Sequence, residues 1–236
     1  MRISRIYIDS ILNELHRISD GVTLNYIKNV LRLGIKDRAT LFNGNGEEAI
    51  YEILEISHKY ANLKKINDMK KQAIPKRKVF LYPCLTKPKS MDFIFQKCTE
   101  IGVTGFQPVK SSYSYKSMGD KNYSAKLLHW NKVSISACEQ SGRHWLPQIK
   151  PPINLDEIPP IKEKNFIYLH PDAEQNINKI IGLDLSELHL LIGPEGGLNT
   201  SEITQLNQIG WQGYRLDMPI LRAETAAVVA STIATL

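Results

Sequence analysis

From residue 79 onward, short apolar runs alternate with segments of helical period. Val79 to Leu85 (VFLYPCL) is almost wholly apolar, the pattern of a strand buried on both faces. Met91 to Ile101 predicts a helix stopped by Gly102, and Phe106 to Val109 a short strand. Ser124 to Gln140 predicts a long helix with Leu127, Leu128, Val133, Ile135 and Ala137 available for burial. A proline-rich connection runs from Pro147 to Pro160, followed by strands at Phe166 to Leu169 and Leu188 to Ile192. Asn199 to Gln208 predicts a helix, with Asn199 as N-cap, Glu202 in the capping-box position and Gly210 as stop. A short strand at Tyr214 to Leu216 and a helix at Ala223 to Thr235 close the chain. Strands alternating with helices predict an α/β fold on a mostly parallel sheet.

The first 72 residues have a different texture. Arg38 to Phe42 predicts a strand, Asn43-Gly-Asn-Gly46 a turn, and Glu48 to Ile56 a second strand with imperfect alternation. Asn25 to Arg32 predicts a short helix with Ile27, Val30 and Leu31 on one face. Short strands around one helix suggest a small barrel. Gln72 to Lys78 is basic and contains Pro75, so the domains are divided there, into residues 1–72 and 73–236.

With 236 residues, 42% hydrophobic and 23% charged, the chain is globular and long enough for two modest domains. Cys84, Cys98 and Cys138 lie far apart, a poor disulfide or zinc framework, and Met1 to Ser10 lacks the apolar core of a signal peptide. No stretch approaches the roughly 20 apolar residues of a membrane span. The reading is a reduced, cytoplasmic protein with no membrane and no metal. The net charge of +6 is concentrated in Lys59 to Lys78, which holds seven Lys, one Arg and one Asp. That segment either attracts a polyanion, nucleic acid being the usual one, or is a solvated linker.

Gly193-Pro-Glu-Gly-Gly197 lies between a strand's carboxyl end and a helix start, where open α/β sheets bind ligands; an ordinary strand-to-helix turn is the alternative. There is no P-loop signature, and no G-x-G-x-x-G follows a strand, so neither a P-loop nor a Rossmann-type dinucleotide site is expected.

Leu190-Leu-Ile-Gly-Pro-Glu-Gly-Gly-Leu198, followed by Ile220-Leu-Arg-Ala-Glu-Thr-Ala226, resembles the knotted SPOUT methyltransferases, and more closely the ribosomal RNA small subunit methyltransferase E family. Phe95 to Val103, Ala137 to Arg143 with Pro147, and Val30-Leu-Arg32 are similar to further segments of that family, in order along nearly the whole chain. The resemblance implies a PUA-like RNA-binding β-barrel at residues 1–72. It implies a SPOUT α/β-knot methyltransferase domain with a parallel sheet at residues 73–236. It implies S-adenosyl-L-methionine as cofactor, held by Leu169, His170, Gly193, Pro194, Glu195, Gly196, Gly197, Leu216, Met218, Ile220, Leu221 and Thr225. It also implies a homodimer that forms 3-methyluridine in 16S ribosomal RNA, free or in the small ribosomal subunit. The chain departs from the family's usual Leu-Gly-x-Arg at Leu216-Asp217-Met218-Pro219, and from its Ser-Glu-Arg at Ser111-Ser112-Tyr113.

Such a transfer must remove the proton on uridine N3, which calls for a base or for a cation that stabilises the uridine anion. Arg222 is the first choice for the cation, and Glu195 or Glu224 accepts the proton or orients Arg222. Arg222 and Glu224 also read as an ordinary pair at a helix entrance, with Glu224 favoured by the helix dipole. Ala223, Ala226, Ala227 and Ala230 leave the last helix narrow, suited to close packing. Arg32, Lys97, Arg143, Lys64, Lys65, Lys70 and Lys71 are the candidate phosphate contacts, with surface ion pairs an equal account of Lys97 and Arg143. A SPOUT enzyme acting on another RNA position, and a non-catalytic RNA-binding protein on the same scaffold, are the competing readings.

Overall fold

A computed structural model describes residues 3–115, 123–160 and 165–236. The chain forms two units, Met1–Ile74 with Cys138–Leu146, and Pro75–Ala137 with Pro147–Leu236. Thus 138–146, which the sequence reading leaves in the second domain, belongs by its contacts to the first unit.

The first unit contains β1 (Ser4–Tyr7), β2 (Leu15–Ile18), α1 (Gly21–Asn25), β3 (Arg38–Phe42), β4 (Glu47–Ile56), β5 (Ala61–Lys65) and β6 (Lys70–Lys71). Its sheet runs β1-β3-β4-β5-β2, with β6 also on β4. Ile6, Ile27, Leu41, Tyr51, Ile53 and Leu63 form the core. The imperfect alternation of β4 has a cause: the register against β5 shifts between Ile53 and Glu55, a bulge that turns the following side chains over. The β3–β4 turn uses positive φ at Gly44 (74°) and Gly46 (89°), and the Asn43 side chain accepts the Asn45 N–H at 2.9 Å. A Cβ on Gly46 would lie 2.5 Å from the Trp145 ring, so this glycine is needed for close packing as well as for its φ.

The helix expected over 25–32 is corrected. Asp20 caps it early, accepting the Thr23 N–H at 2.8 Å, and α1 runs on into a π-helical turn at Tyr26–Val30. Residues 138–146 bind the first unit through polar groups. Glu139 accepts the Tyr7 N–H and the Tyr26 hydroxyl, both at 3.2 Å, and burial pushes its carboxyl pKa up. The His144 Nε2 lies 3.0 Å from Glu48, which also pairs with Arg5.

The second unit contains β7 (Lys78–Pro83), α2 (Pro88–Ile101), β8 (Gly105–Phe106), β9 (Val109–Lys110), α3 (Tyr123–Ser141, whose last residues belong to the first unit), β10 (Gln148–Ile149), β11 (Ile153–Asn154), β12 (Phe166–Leu169), β13 (Gln175–Asn176), β14 (Glu187–Ile192), α4 (Thr200–Gln208), β15 (Gln212–Arg215) and α5 (Ala223–Thr235). Seven strands form a sheet in the order β10-β8-β7-β14-β12-β15-β13, and every pairing in it is parallel. This is the α/β fold with a parallel sheet that the alternation predicts. The expected strand at 106–109 is corrected to two short strands. Gln107-Pro108 divides them, and Pro108 has no N–H to give to a ladder. The last strand lies earlier than expected, ending at Arg215.

Five consecutive residues of β14, Leu188 to Ile192, are buried, as a central strand requires. β7 differs from the expected two-sided burial: Phe80 and Tyr82 are only half-buried. Beside them the His189 ring stacks on Phe166 with centroids 3.9 Å apart. On the other face, Leu81, Phe95, Phe106, Leu190 and Ala230 share one core. α5 packs on it through Ala227, Ala230 and Ala234, all fully buried, so small residues do give this helix a close approach.

Candidate active site

The sheet order decides where a site forms. β14, β12 and β15 are parallel neighbours, so the loops leaving their carboxyl ends stand side by side. These loops begin at Gly193, His170 and Leu216, and with the entrance of α5 they enclose a cavity of about 620 Å³. That volume lies within the usual range for small-molecule and cofactor sites, about 300–1,000 Å³.

Each wall has a local cause. The Gly197 N–H bonds the Pro194 carbonyl at 2.9 Å, and Gly197 has φ +72°, so the turn folds back sharply before α4. A capping box follows: Asn199 accepts the Glu202 N–H at 2.8 Å while Glu202 accepts the Asn199 N–H at 2.9 Å. The second wall is tied to the sheet by the His170 N–H on the Tyr214 carbonyl at 2.9 Å, and the His170 Nδ1 accepts the Asp172 N–H at 3.3 Å. In the third wall, Asp217 accepts from Arg215 Nε at 3.0 Å and from the Asn176 amide. Asp217 keeps a negative φ, since among non-glycine residues described only Arg32 and Lys36 are positive. The aspartate at this place therefore needs no glycine-like backbone.

Leu169, His170, Gly193, Pro194, Glu195, Gly196, Gly197, Leu216, Met218, Ile220 and Leu221 all line the cavity, and so does Arg222. Thr225 does not; it is exposed. Helix phase explains this: Ala223 and Ala226, three residues apart, face the cavity, and Thr225 falls between them on another side. Pro171, Ile192, Leu198, Pro219, Ala223 and Ala226 also line it, beyond the residues the sequence points to; they adjoin the predicted segments. Arg222 is exposed and is the N-cap residue of α5. Glu224 lies in the first turn, outside the lining, with its Oε2 buried and without a hydrogen-bond partner among the described residues.

The candidate phosphate contacts are scattered. Arg32, Lys64 and Lys70 are exposed. Lys65 pairs with Glu14 at 3.1 Å, Lys71 with Glu47 at 3.0 Å, and Lys97 with Glu100 at 2.9 Å. Arg143 is half-buried, and desolvation lowers its guanidinium pKa. Arg77, inside the basic run, donates to the carbonyls of Ala234 and Leu183, so part of that charge serves the fold. Among the described residues no group of three or more His, Cys, Asp or Glu is placed to hold a metal, and no helix is long and apolar enough to cross a membrane.

Known families share this arrangement. A family model described as an RNA methyltransferase domain matches residues 73–235, and one described as an RNA methyltransferase PUA domain matches residues 20–66. Cavity, parallel sheet and PUA-like amino-terminal domain thus define an RNA methyltransferase. The ribosomal RNA small subunit methyltransferase E of Buchnera aphidicola (from Acyrthosiphon pisum) is 32% identical, over 98% of this chain and 92% of that protein. A Legionella pneumophila protein solved with the bound cofactor SAM superposes with a TM-score of 0.90 at 25% identity, covering 99% of this chain and 97% of the other. The ribosomal RNA small subunit methyltransferase E of Neisseria gonorrhoeae, bound to S-adenosyl methionine, gives 0.85 at 27% identity, covering 98% and 95%. This chain belongs to the ribosomal RNA small subunit methyltransferase E family.

Proposed function

We propose that this protein methylates N3 of a uridine in 16S ribosomal RNA, using S-adenosyl-L-methionine held in the cavity at the carboxyl edge of β14, β12 and β15. The observation that carries the reading is that eleven of the twelve residues assigned to the cofactor from sequence line this one cavity, with Arg222 beside them. The site fits such a group chemically. Glycines at 193, 196 and 197 let a ligand approach the main chain, and Leu169, Leu216, Ile220 and Leu221 offer apolar walls to a purine. When bound, the cofactor would supply a methyl group carried on a positively charged sulfonium sulfur.

The chain's own residues do the rest. The three loops hold donor and acceptor in line, and most of the rate gain comes from that positioning. Arg222, exposed on the cavity wall, stabilises the negative charge that develops on the uracil ring as the N3 proton leaves. Glu195, on the turn and in the cavity lining, is suited to accept that proton, and Glu224, two residues from Arg222 and outside the lining, is suited to orient Arg222. The first unit, Met1–Ile74 with Cys138–Leu146, serves as the RNA-binding domain and the second, Pro75–Ala137 with Pro147–Leu236, as the catalytic domain. Arg32, Lys64 and Lys70 stand ready for phosphates, whereas Lys65, Lys71, Lys97 and Arg143 first leave a carboxylate or a half-buried position. The protein works in the cytoplasm as a homodimer.

Mass analysis of 16S RNA from cells lacking the protein tests the activity: one 3-methyluridine disappears and returns on complementation. An unchanged nucleoside profile refutes it. Arg222→Ala is expected to lower kcat by about 100-fold or more while the Kd for S-adenosyl-L-methionine stays within about twofold; equal losses assign Arg222 to cofactor binding. Size-exclusion chromatography with light scattering reads the dimer.

A further inference from the structure

Residues 111–115 form a short loop pinned from several sides. The Ser111 N–H donates to Ser114 Oγ at 2.8 Å, and the Ser114 N–H to the Ser111 carbonyl at 3.1 Å. The Ser112 N–H donates to Glu202 Oε1 at 2.7 Å, and Asn199 Nδ2 to Ser112 Oγ at 3.0 Å. The Tyr115 N–H donates to the Leu85 carbonyl at 2.9 Å. The residue these bonds bracket is Tyr113. It rests on the glycine turn: a Cβ built on Gly196 would lie 3.0 Å from Tyr113 Cβ and 3.3 Å from its Cγ. Gly196 is itself a wall of the cavity. Yet Tyr113 is 57% exposed, and apart from its edge against Gly196 its ring has no aromatic or cationic neighbour, and its hydroxyl no hydrogen bond, among the described residues.

A large aromatic side chain left in water, with its main chain fixed at both ends and its base against the cavity wall, is well suited to hold another flat ring. Tyrosine has few rotatable bonds, so little freedom is lost on contact. Bases of unpaired RNA stack on such rings whatever their identity. We infer that Tyr113 is a stacking platform for a nucleobase of the RNA strand at the mouth of the cofactor cavity, and that it positions the substrate without touching the cofactor. The inference rests on the RNA methyltransferase reading and adds the residue that receives the strand. A positively charged residue here would attract phosphates at any position, whereas a ring selects strand whose bases are splayed out of a helix.

The test compares wild type with Tyr113→Ala, Tyr113→Leu and Tyr113→Phe in the full chain, using unmethylated 16S RNA and labelled S-adenosyl-L-methionine. Wild-type turnover is measured first; without it the functional reading fails, and the inference with it. Given turnover, Tyr113→Ala and Tyr113→Leu raise the KM for RNA by about 5- to 100-fold, the range expected for one lost stack. In both, the cofactor Kd and Tm stay close to wild type. Tyr113→Phe recovers most of the RNA affinity because it keeps the ring. The inference is overturned if Tyr113→Leu keeps the wild-type KM in an active enzyme, or if cofactor and RNA binding fall together in Tyr113→Ala. The first result denies a role for aromaticity, and the second makes Tyr113 a prop for the glycine turn.

Discussion

Gly197 and Gly182 separate what a glycine does for the fold from what it does for the site. Both hold positive φ, +72° and +79°, and a Cβ on either would meet nothing within 4 Å. Alanine at either place therefore costs only its backbone strain, about 1–2 kcal/mol for an L-residue in the left-handed region. Reduced freedom of the unfolded chain offsets about 0.4–1 kcal/mol of this. Each variant is expected to be less stable by about 1 kcal/mol, a Tm fall of roughly 2–4 °C for a protein of this size. The two differ in position. Gly197 lines the cavity and donates to the Pro194 carbonyl, whereas Gly182 lies outside the lining. Strain released by rotating the Gly197 peptide misplaces at least one main-chain group of the turn, worth about tenfold in affinity. Titration calorimetry with S-adenosyl-L-methionine is thus expected to show about tenfold weaker binding for Gly197→Ala and wild-type binding for Gly182→Ala. Equal affinity in all three proteins, or equal losses in both variants, refutes the assignment of the 193–197 turn to the cofactor.

Other consequences follow from buried polar groups. Glu202 is 7% exposed and accepts two main-chain N–H groups, from Ser112 and Asn199, so Glu202→Ala strands both and is expected to cost about 1.5–3 kcal/mol in urea unfolding. Burial pushes the thiol pKa up to about 12 at Cys84 and Cys98, and to about 11 at Cys138. Iodoacetamide at pH 8 is therefore expected to label the native protein at least about 100-fold more slowly than the urea-unfolded chain, read by mass spectrometry. Burial lowers the pKa of His16 below 6.5, so the unfolded chain binds the proton more readily. Stability present above about pH 6.5 is then lost as pH falls toward the depressed folded value, and His16→Gln, which cannot take up a proton, is expected to lose less between pH 7 and 5 in urea midpoints.

The parts legible in the sequence are those governed by near neighbours. The largely apolar run of β14, the Asn199–Glu202 capping box and the glycine turn are each encoded within ten residues, and all three stand where the pattern puts them. β1 was not legible because its partner β3 lies over thirty residues away and it shows only one buried side chain, Ile6. The place of 138–146 in the first unit was hidden for a similar reason: it depends on Glu139 meeting Tyr7 and on Trp145 meeting Gly46, pairings that local spacing does not reveal. Most of the residues proposed for the cofactor line one cavity because three loops carry contiguous motifs. Thr225 was assigned as part of such a motif, although the helix had already turned it away. In the sequence Tyr113 stands out only as a departure from Ser-Glu-Arg, since its contact with Gly196 spans more than eighty residues.

The central claim, that the cavity delivers a methyl group to uridine N3 in RNA, is tested most directly by incubating the purified protein with unmethylated 16S RNA and deuteromethyl-labelled S-adenosyl-L-methionine, then digesting the RNA to nucleosides for mass spectrometry. The account predicts label in 3-methyluridine alone, at one site per RNA, and almost none with Arg222→Ala. Label on a ribose or on another base, or no label with protein that binds the cofactor, contradicts it.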